Sequence, residues 1–165
     1  MTEKPSGTEY FDAWRLIRGI SEIMVRIRDR ELYQYGITIR QSALIYAVKA
    51  LGDSATPSAI ARLLLREPAS ASNLIIRMEK DSYLERFQNE KRKNQVLVVL
   101  TKKGEEAFQN STHRESVMRP LSKLSAKRFH QLQSIAEELR GYLMEELGTG
   151  MVFPPLPPIE DSPEK

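Results

Sequence analysis

The chain has 165 residues, 41% hydrophobic and 28% charged, with a formal net charge of +3. That is a globular composition sized for one domain, or one domain with an added oligomerisation element. It has no cysteine, which excludes disulfides, thiol redox sensing and cysteine-ligated zinc. No apolar run approaches the ~18 residues of a membrane span, and "MTEKPSGTEYF" has no signal-peptide core or cleavage site, so a cytoplasmic protein is expected.

The first element, 8–35, is helical by period. Tyr10, Trp14, Ile17, Ile20, Met24 and Ile27 recur at steps of three and four, and Arg15, Arg18, Arg26 and Arg28 take other positions. Ser6 or Thr8 is its candidate cap, and Gly36 sits where the chain needs positive φ to stop. A helix of that length cannot bury its whole apolar stripe on a small neighbouring domain, so a partner chain is expected. "TIRQSALIYAVKALGD" (38–53) is a second helix, with Thr38 as cap and Gln41 at capping-box spacing. Leu44, Ile45, Val48 and Leu51 form its apolar face.

"TPSAIARLLL" (56–65) begins with Thr56 as cap and Pro57 at the first helical position. "ASASNLIIRMEKDSYL" (69–84) follows as another helix after a tight connection, which is helix-turn-helix spacing. "LERFQ" (84–88) and "QVLVVLT" (95–101) read as strands of a hairpin around the loop "NEKRKN". Thr101 caps a helix running to about Met118, with a break expected near Pro120. The last helix, 125–147, aligns Phe129, Leu132, Ile135, Leu139, Leu143 and Leu147. Five of the nine prolines lie within 154–163, so the tail is expected to be extended.

Charge is concentrated. Residues 86–103 hold Arg86, Lys91, Arg92, Lys93, Lys102 and Lys103 against Glu90, which is +5, leaving −2 for the rest of the +3 chain. The pattern suits one edge facing a polyanion, or simply a solvated hairpin tip. His113 and His130 are the only histidines and are not at metal-ligand spacing. There is no glycine-rich phosphate loop or nucleophile elbow. No catalysis, metal or cofactor is expected.

The words "QSALIYAV", "SAIARLLL", "SASNLIIRMEKDSYLER" and "NEKRKNQVLVVLTKKGEEAF" together make 40–108 resemble the MarR family of bacterial transcription regulators. They match its second helix, the first helix of the helix-turn-helix, the recognition helix, and the wing with its "LT..G" continuation. The resemblance implies a mainly α fold with a small β-hairpin wing: a winged helix-turn-helix flanked by N- and C-terminal dimerisation helices. Its parts would be 8–35 (N-terminal dimerisation helix), 36–118 (DNA-binding region), 119–150 (C-terminal dimerisation helix) and 151–165 (proline-rich tail). The chain departs from the family at Asn89, where an acidic residue is frequent, and within the wing at Lys91, Arg92 and Asn94. In the family an acidic–arginine pair helps to hold the wing. Ser82 stands where glycine is usual.

Lys91, Arg92 and Lys93 would reach phosphates or a minor groove, giving affinity that falls with salt. Ser70, Ser72, Asn73 and Arg77 would face the DNA from the recognition helix, since Asn pairs with adenine and Ser with several bases. Arg40, Gln41, Thr56 and Ser58 are backbone-contact candidates. Some basic and polar residues have a plainer reading: Ser70 and Ser72 as helix caps, Arg77 paired with Glu79 or Asp81, Arg86 as a structural ion pair. The resemblance further implies a homodimer, a near-palindromic double-stranded DNA operator, and a small aromatic effector with Tyr10, Trp14, Met24 and Tyr46 around it; those four could equally be core. The expected function is a DNA-binding regulator, a repressor of a nearby promoter. The rival expectation is a winged-helix protein-interaction module that binds no specific DNA.

Overall fold

The computed structural model describes residues 4–89 and 92–148, and for 92–94 the backbone alone. Helix α1 spans Gly7–Tyr33 and is closed at its start by a capping box. Ser6 N–H donates to Glu9 Oε2 at 2.8 Å, and Glu9 N–H donates to Ser6 Oγ. Only Leu32, near its end, is buried. Apart from half-buried Met24, the stripe that the sequence predicts at 10–27 lies open on the single chain, with Trp14 51% and Tyr10 58% exposed.

Helix α2 (Ile39–Leu51) opens on the expected Thr38–Gln41 box. It supplies Leu44, Ile45, Ala47 and Val48 to the core. A single 3-10 turn, Gly52–Ser54, leads into α3 (Pro57–Leu63), which is capped by the Thr56 hydroxyl and has Pro57 in its first turn. The turn to α4 (Pro68–Lys80) is made by Leu65 at φ 50° and by Arg66 N–H donating to the Ala61 carbonyl at 2.9 Å. Neither Ser70 nor Ser72 caps α4: its N-cap is Glu67, which makes no side-chain cap, and both serines lie inside the helix. The helix ends at Lys80 and not at 84, because Ser82 turns the chain at φ 63°. Serine there takes the left-handed conformation that glycine adopts without a Cβ clash.

Strands β1 (Leu84–Asn89) and β2 (Arg92–Leu100) pair antiparallel from Leu84↔Leu100 to Gln88↔Val96, with a register shift before Asn89↔Arg92. Val98 N–H also donates to the Ala55 carbonyl at 2.8 Å, which fastens the hairpin to the start of the helix-turn-helix. Leu32, Ile37, Ile60, Ile75, Met78, Leu84, Val98 and Phe108 join the α2 residues in one core.

The sequence places a helical break near Pro120, and the structure moves it. Helix α5 spans Lys102–Ser111, and α6 spans Glu115–Leu121 with Pro120 inside its last turn. The break falls at 112–114, where Arg28 of α1 donates to the Ser111 carbonyl (2.5 Å) and to the His113 carbonyl. Those carbonyls are taken by a guanidinium, so the helix need not continue to satisfy them. Pro120 is tolerated because so short a helix loses a single backbone bond there. Helix α7 (Ala126–Glu146), capped by Ser125, buries none of its residues and makes only marginal contact with its own chain. No helix among the described residues is long and apolar enough to cross a membrane.

Candidate nucleic-acid interface

Helix α4 is held by Ala71, Ile75 and Met78, which are buried on one side. At ~100° per residue this leaves the opposite side free. Ser70, Asn73 and Arg77 are exposed together along one flank, but Ser72 is not with them: it is half-buried beside the core side. Arg77 makes no ion pair with Glu79 or Asp81.

A cleft of about 690 Å³ runs between α4, the start of α2 and the later part of α1. It gathers Arg40, Gln41, Ser70, Asn73 and Arg77 from the sequence candidates, together with Arg66, Leu74, Thr38, Ile39, Val25 and Asp29. Three guanidinium groups face one carboxylate, and Asp29 is engaged: its Oδ1 accepts from Ile39 N–H at 2.7 Å. The rim is therefore cationic. Arg66 was not read from the sequence as a site residue, because its position depends on the left-handed turn at Leu65. Thr56 and Ser58 lie apart from this cleft, at the start of α3, where the Thr56 hydroxyl accepts from Ala59 N–H at 3.2 Å and Ser58 is exposed.

Arg86 is a brace. Its Nε donates to Glu79 Oε2 at 2.9 Å, tying β1 to α4, and this hydrogen bond holds the Glu79 carboxyl below its ordinary pKa. In the wing, Asn89 Nδ2 donates to Gln95 Oε1 at 3.2 Å, a neutral cross-strand bond where the family resemblance implies an acidic–arginine pair. Lys91 lies outside the described residues. Arg92 and Lys93 are on β2 by backbone, and their side chains are likewise outside the description.

The effector candidates are spread over two helices of the single chain, α1 and α2. Tyr10 and Met24 are fourteen residues apart on α1, which is ~21 Å along the axis. Trp14 stacks on Phe11 at the exposed end, with centroids 5.3 Å apart. Tyr46 instead packs on Phe108 in the core, at 6.2 Å. Burial raises the Tyr46 hydroxyl pKa, opposed by the charge and side chain of the nearby Arg114. No group of three His, Asp or Glu side chains that could hold a metal occurs among the described residues.

Fold and cleft together define a winged helix-turn-helix with an exposed, polar second helix. No family model matches the chain, and no curated protein matches it. Solved structures do. AbsC, a MarR family transcriptional regulator from Streptomyces coelicolor, is 26% identical over 85% of this chain and 99% of its own, with a TM-score of 0.69. The S. aureus MepR–DNA complex is 23% identical, covering 84% and 99%, with a TM-score of 0.70. The organohalide-sensing RdhR-CbdbA1625 transcriptional regulator, in its 2,4-dichlorophenol-bound form, is 20% identical, covering 98% of each chain, with a TM-score of 0.76. The chain has the architecture of the MarR family of transcriptional regulators, the resemblance its sequence carries.

Proposed function

We propose that the protein is a homodimeric, sequence-specific DNA-binding transcription regulator that represses a nearby promoter by occluding it. The observation that carries this reading is the joining of Arg40, Arg66 and Arg77 with Ser70 and Asn73 in one open, cationic cleft, in a chain whose wing sequence is basic. Cations there neutralise phosphates, and the short side chains of α4 let the helix approach base edges. A protein-interaction module would have no need of such a face. The reading is non-enzymatic and cytoplasmic.

Dimerisation is supported by α1 and α7. The two helices expose Trp14, Ile17, Ile20 and Ile23 on one and Leu132, Ile135, Leu139 and Leu143 on the other. Apolar surface on that scale marks an association site. An isolated amphipathic helix would not hold its form in water without a partner for that face. A two-fold dimer presents two recognition helices to major grooves about one helical turn apart, so the operator is a near-palindrome. The proposal extends to release by a small aromatic ligand, since RdhR-CbdbA1625 was solved with a chlorophenol bound. Such a ligand must bind the DNA-incompetent dimer more tightly than the competent one.

The test is titration of the purified protein against DNA fragments from upstream of its own gene, at two salt concentrations, with Arg77→Ala alongside. Tight, fragment-selective, salt-sensitive binding that weakens in the variant is expected. Weak binding, equal on all fragments and unchanged in Arg77→Ala, would overturn the reading.

A further inference from the structure

Helix α4 carries one large apolar side chain that its own fold does not use. Ile76 is 49% exposed and outside the core cluster. At ~100° per residue it shares a line with Ala69, within ~20°, on the side turned away from Ala71, Ile75 and Met78. The polar flank of Asn73 and Arg77 runs beside that line, and Lys80 follows one turn on.

A β-branched residue exposed on a helix gains nothing in helix propensity, since its χ1 freedom is already restricted. Nor does one isoleucine among Asn, Arg and Lys make an apolar patch of the size that docks a protein. A surface that is anionic overall yet offers isolated apolar points meets both requirements. The major groove is one: thymine presents its C5-methyl there, next to hydrogen-bonding edges, and apolar side chains contact it.

We infer that Ile76 is a specificity-determining residue that reads a thymine C5-methyl, beside an adenine paired by Asn73. This rests on the DNA-binding reading above and adds a base identity to it. Asn73 and Ile76 are three residues apart on the helix, so the two bases fall within the same half-site.

The experiment starts from the duplex that the full-length protein selects out of a random-sequence pool. That duplex is resynthesised with deoxyuridine in place of each thymine in turn, which removes the methyl and leaves the pairing edge intact. Wild-type protein, Ile76→Ala and Ile76→Val are titrated against the set. One symmetric thymine position should weaken wild-type binding, by about fourfold for one methyl and about fifteenfold when both half-sites are changed. Ile76→Val should keep most of that sensitivity. Ile76→Ala should bind the thymine and deoxyuridine duplexes equally, a coupling that a merely structural role does not produce. Selective binding that is indifferent to every deoxyuridine, or equally sensitive in Ile76→Ala, overturns the inference and leaves the DNA-binding reading intact. If the protein selects no sequence at all, both fall.

Discussion

A β-carbon placed on Gly104 would lie 2.2 Å from the backbone carbonyl oxygen of Tyr83. Helix α5 thus starts against the turn that ends α4, and the contact is tightened from both sides. Thr101 Oγ1 accepts from Gly104 N–H at 3.1 Å and donates to the Ser82 carbonyl at 2.7 Å, while Lys103 Nζ donates to the Asp81 carbonyl at 2.8 Å. The "LTKKG" word of the sequence is this junction, where the β-hairpin, α4 and α5 meet. Gly104→Ala should destabilise the fold by about 2 kcal/mol, because a backbone carbonyl must move to admit the methyl. Urea denaturation checks it; a loss below about 0.5 kcal/mol would mean the turn yields freely.

Arg28 and Glu31 connect α1 to the α5–α6 break. They pair with each other, with side chains 12% and 10% exposed. Glu31 Oε1 accepts from Ser116 N–H at 3.2 Å, and the Ser116 hydroxyl also bonds Glu31. Burial alone would raise the Glu31 carboxyl, but the bonds from Ser116 and Arg28 and the Arg28 charge outweigh it, so its pKa is depressed in the fold. A depressed carboxyl contributes stability above its unfolded pKa, and the contribution is lost as pH falls through the folded pKa. Glu31→Gln should therefore cost about 2 kcal/mol at neutral pH. It should also make stability less dependent on pH in the acid range. Thermal melts from neutral to acid pH give both numbers, and parallel curves for the two proteins would contradict the assignment.

The open stripe of α7 predicts an oligomer that one charge can break. Ile135 is among the most exposed of its apolar residues. Ile135→Asp should convert a dimer to monomer in sedimentation velocity and lower Tm, because α7 has little else to rest on. Wild-type Tm should rise with protein concentration, as mass action requires. A monomeric wild type with a concentration-independent Tm would exclude the dimer.

What could be read beforehand follows the range of the forces involved. Thr38 with Gln41, Thr56 with Pro57, and Thr101 act within four residues, so their helix starts were legible from spacing alone. Ser82 was legible as a strained turn because the family resemblance puts glycine there. The end of α5 was not, since nothing near Ser111 breaks a helix; Arg28 ends it from 83 residues away. Pro120 misleads for the complementary reason: it is a local helix-breaking signal, but it sits at the end of a seven-residue helix that loses little to it. In the site, Arg40, Gln41, Ser70, Asn73 and Arg77 come together in one cleft as candidates. Ser72 falls off that stripe by helical angle, and Arg66 enters it through a left-handed leucine that the sequence does not announce. Arg86, which spacing left between DNA and structure, pairs with Glu79 across two elements.

The central claim is that the arginine cleft faces DNA phosphates. Its most direct measurement is the slope of log K against log salt on the selected duplex, for wild type and for Arg40→Ala plus Arg66→Ala. The account predicts a steep negative slope that flattens in the double variant by about 0.9 for each lost phosphate contact, or roughly 3.6 for four contacts in a dimer. Its Tm should stay unchanged. A slope and affinity identical in the two proteins would contradict it.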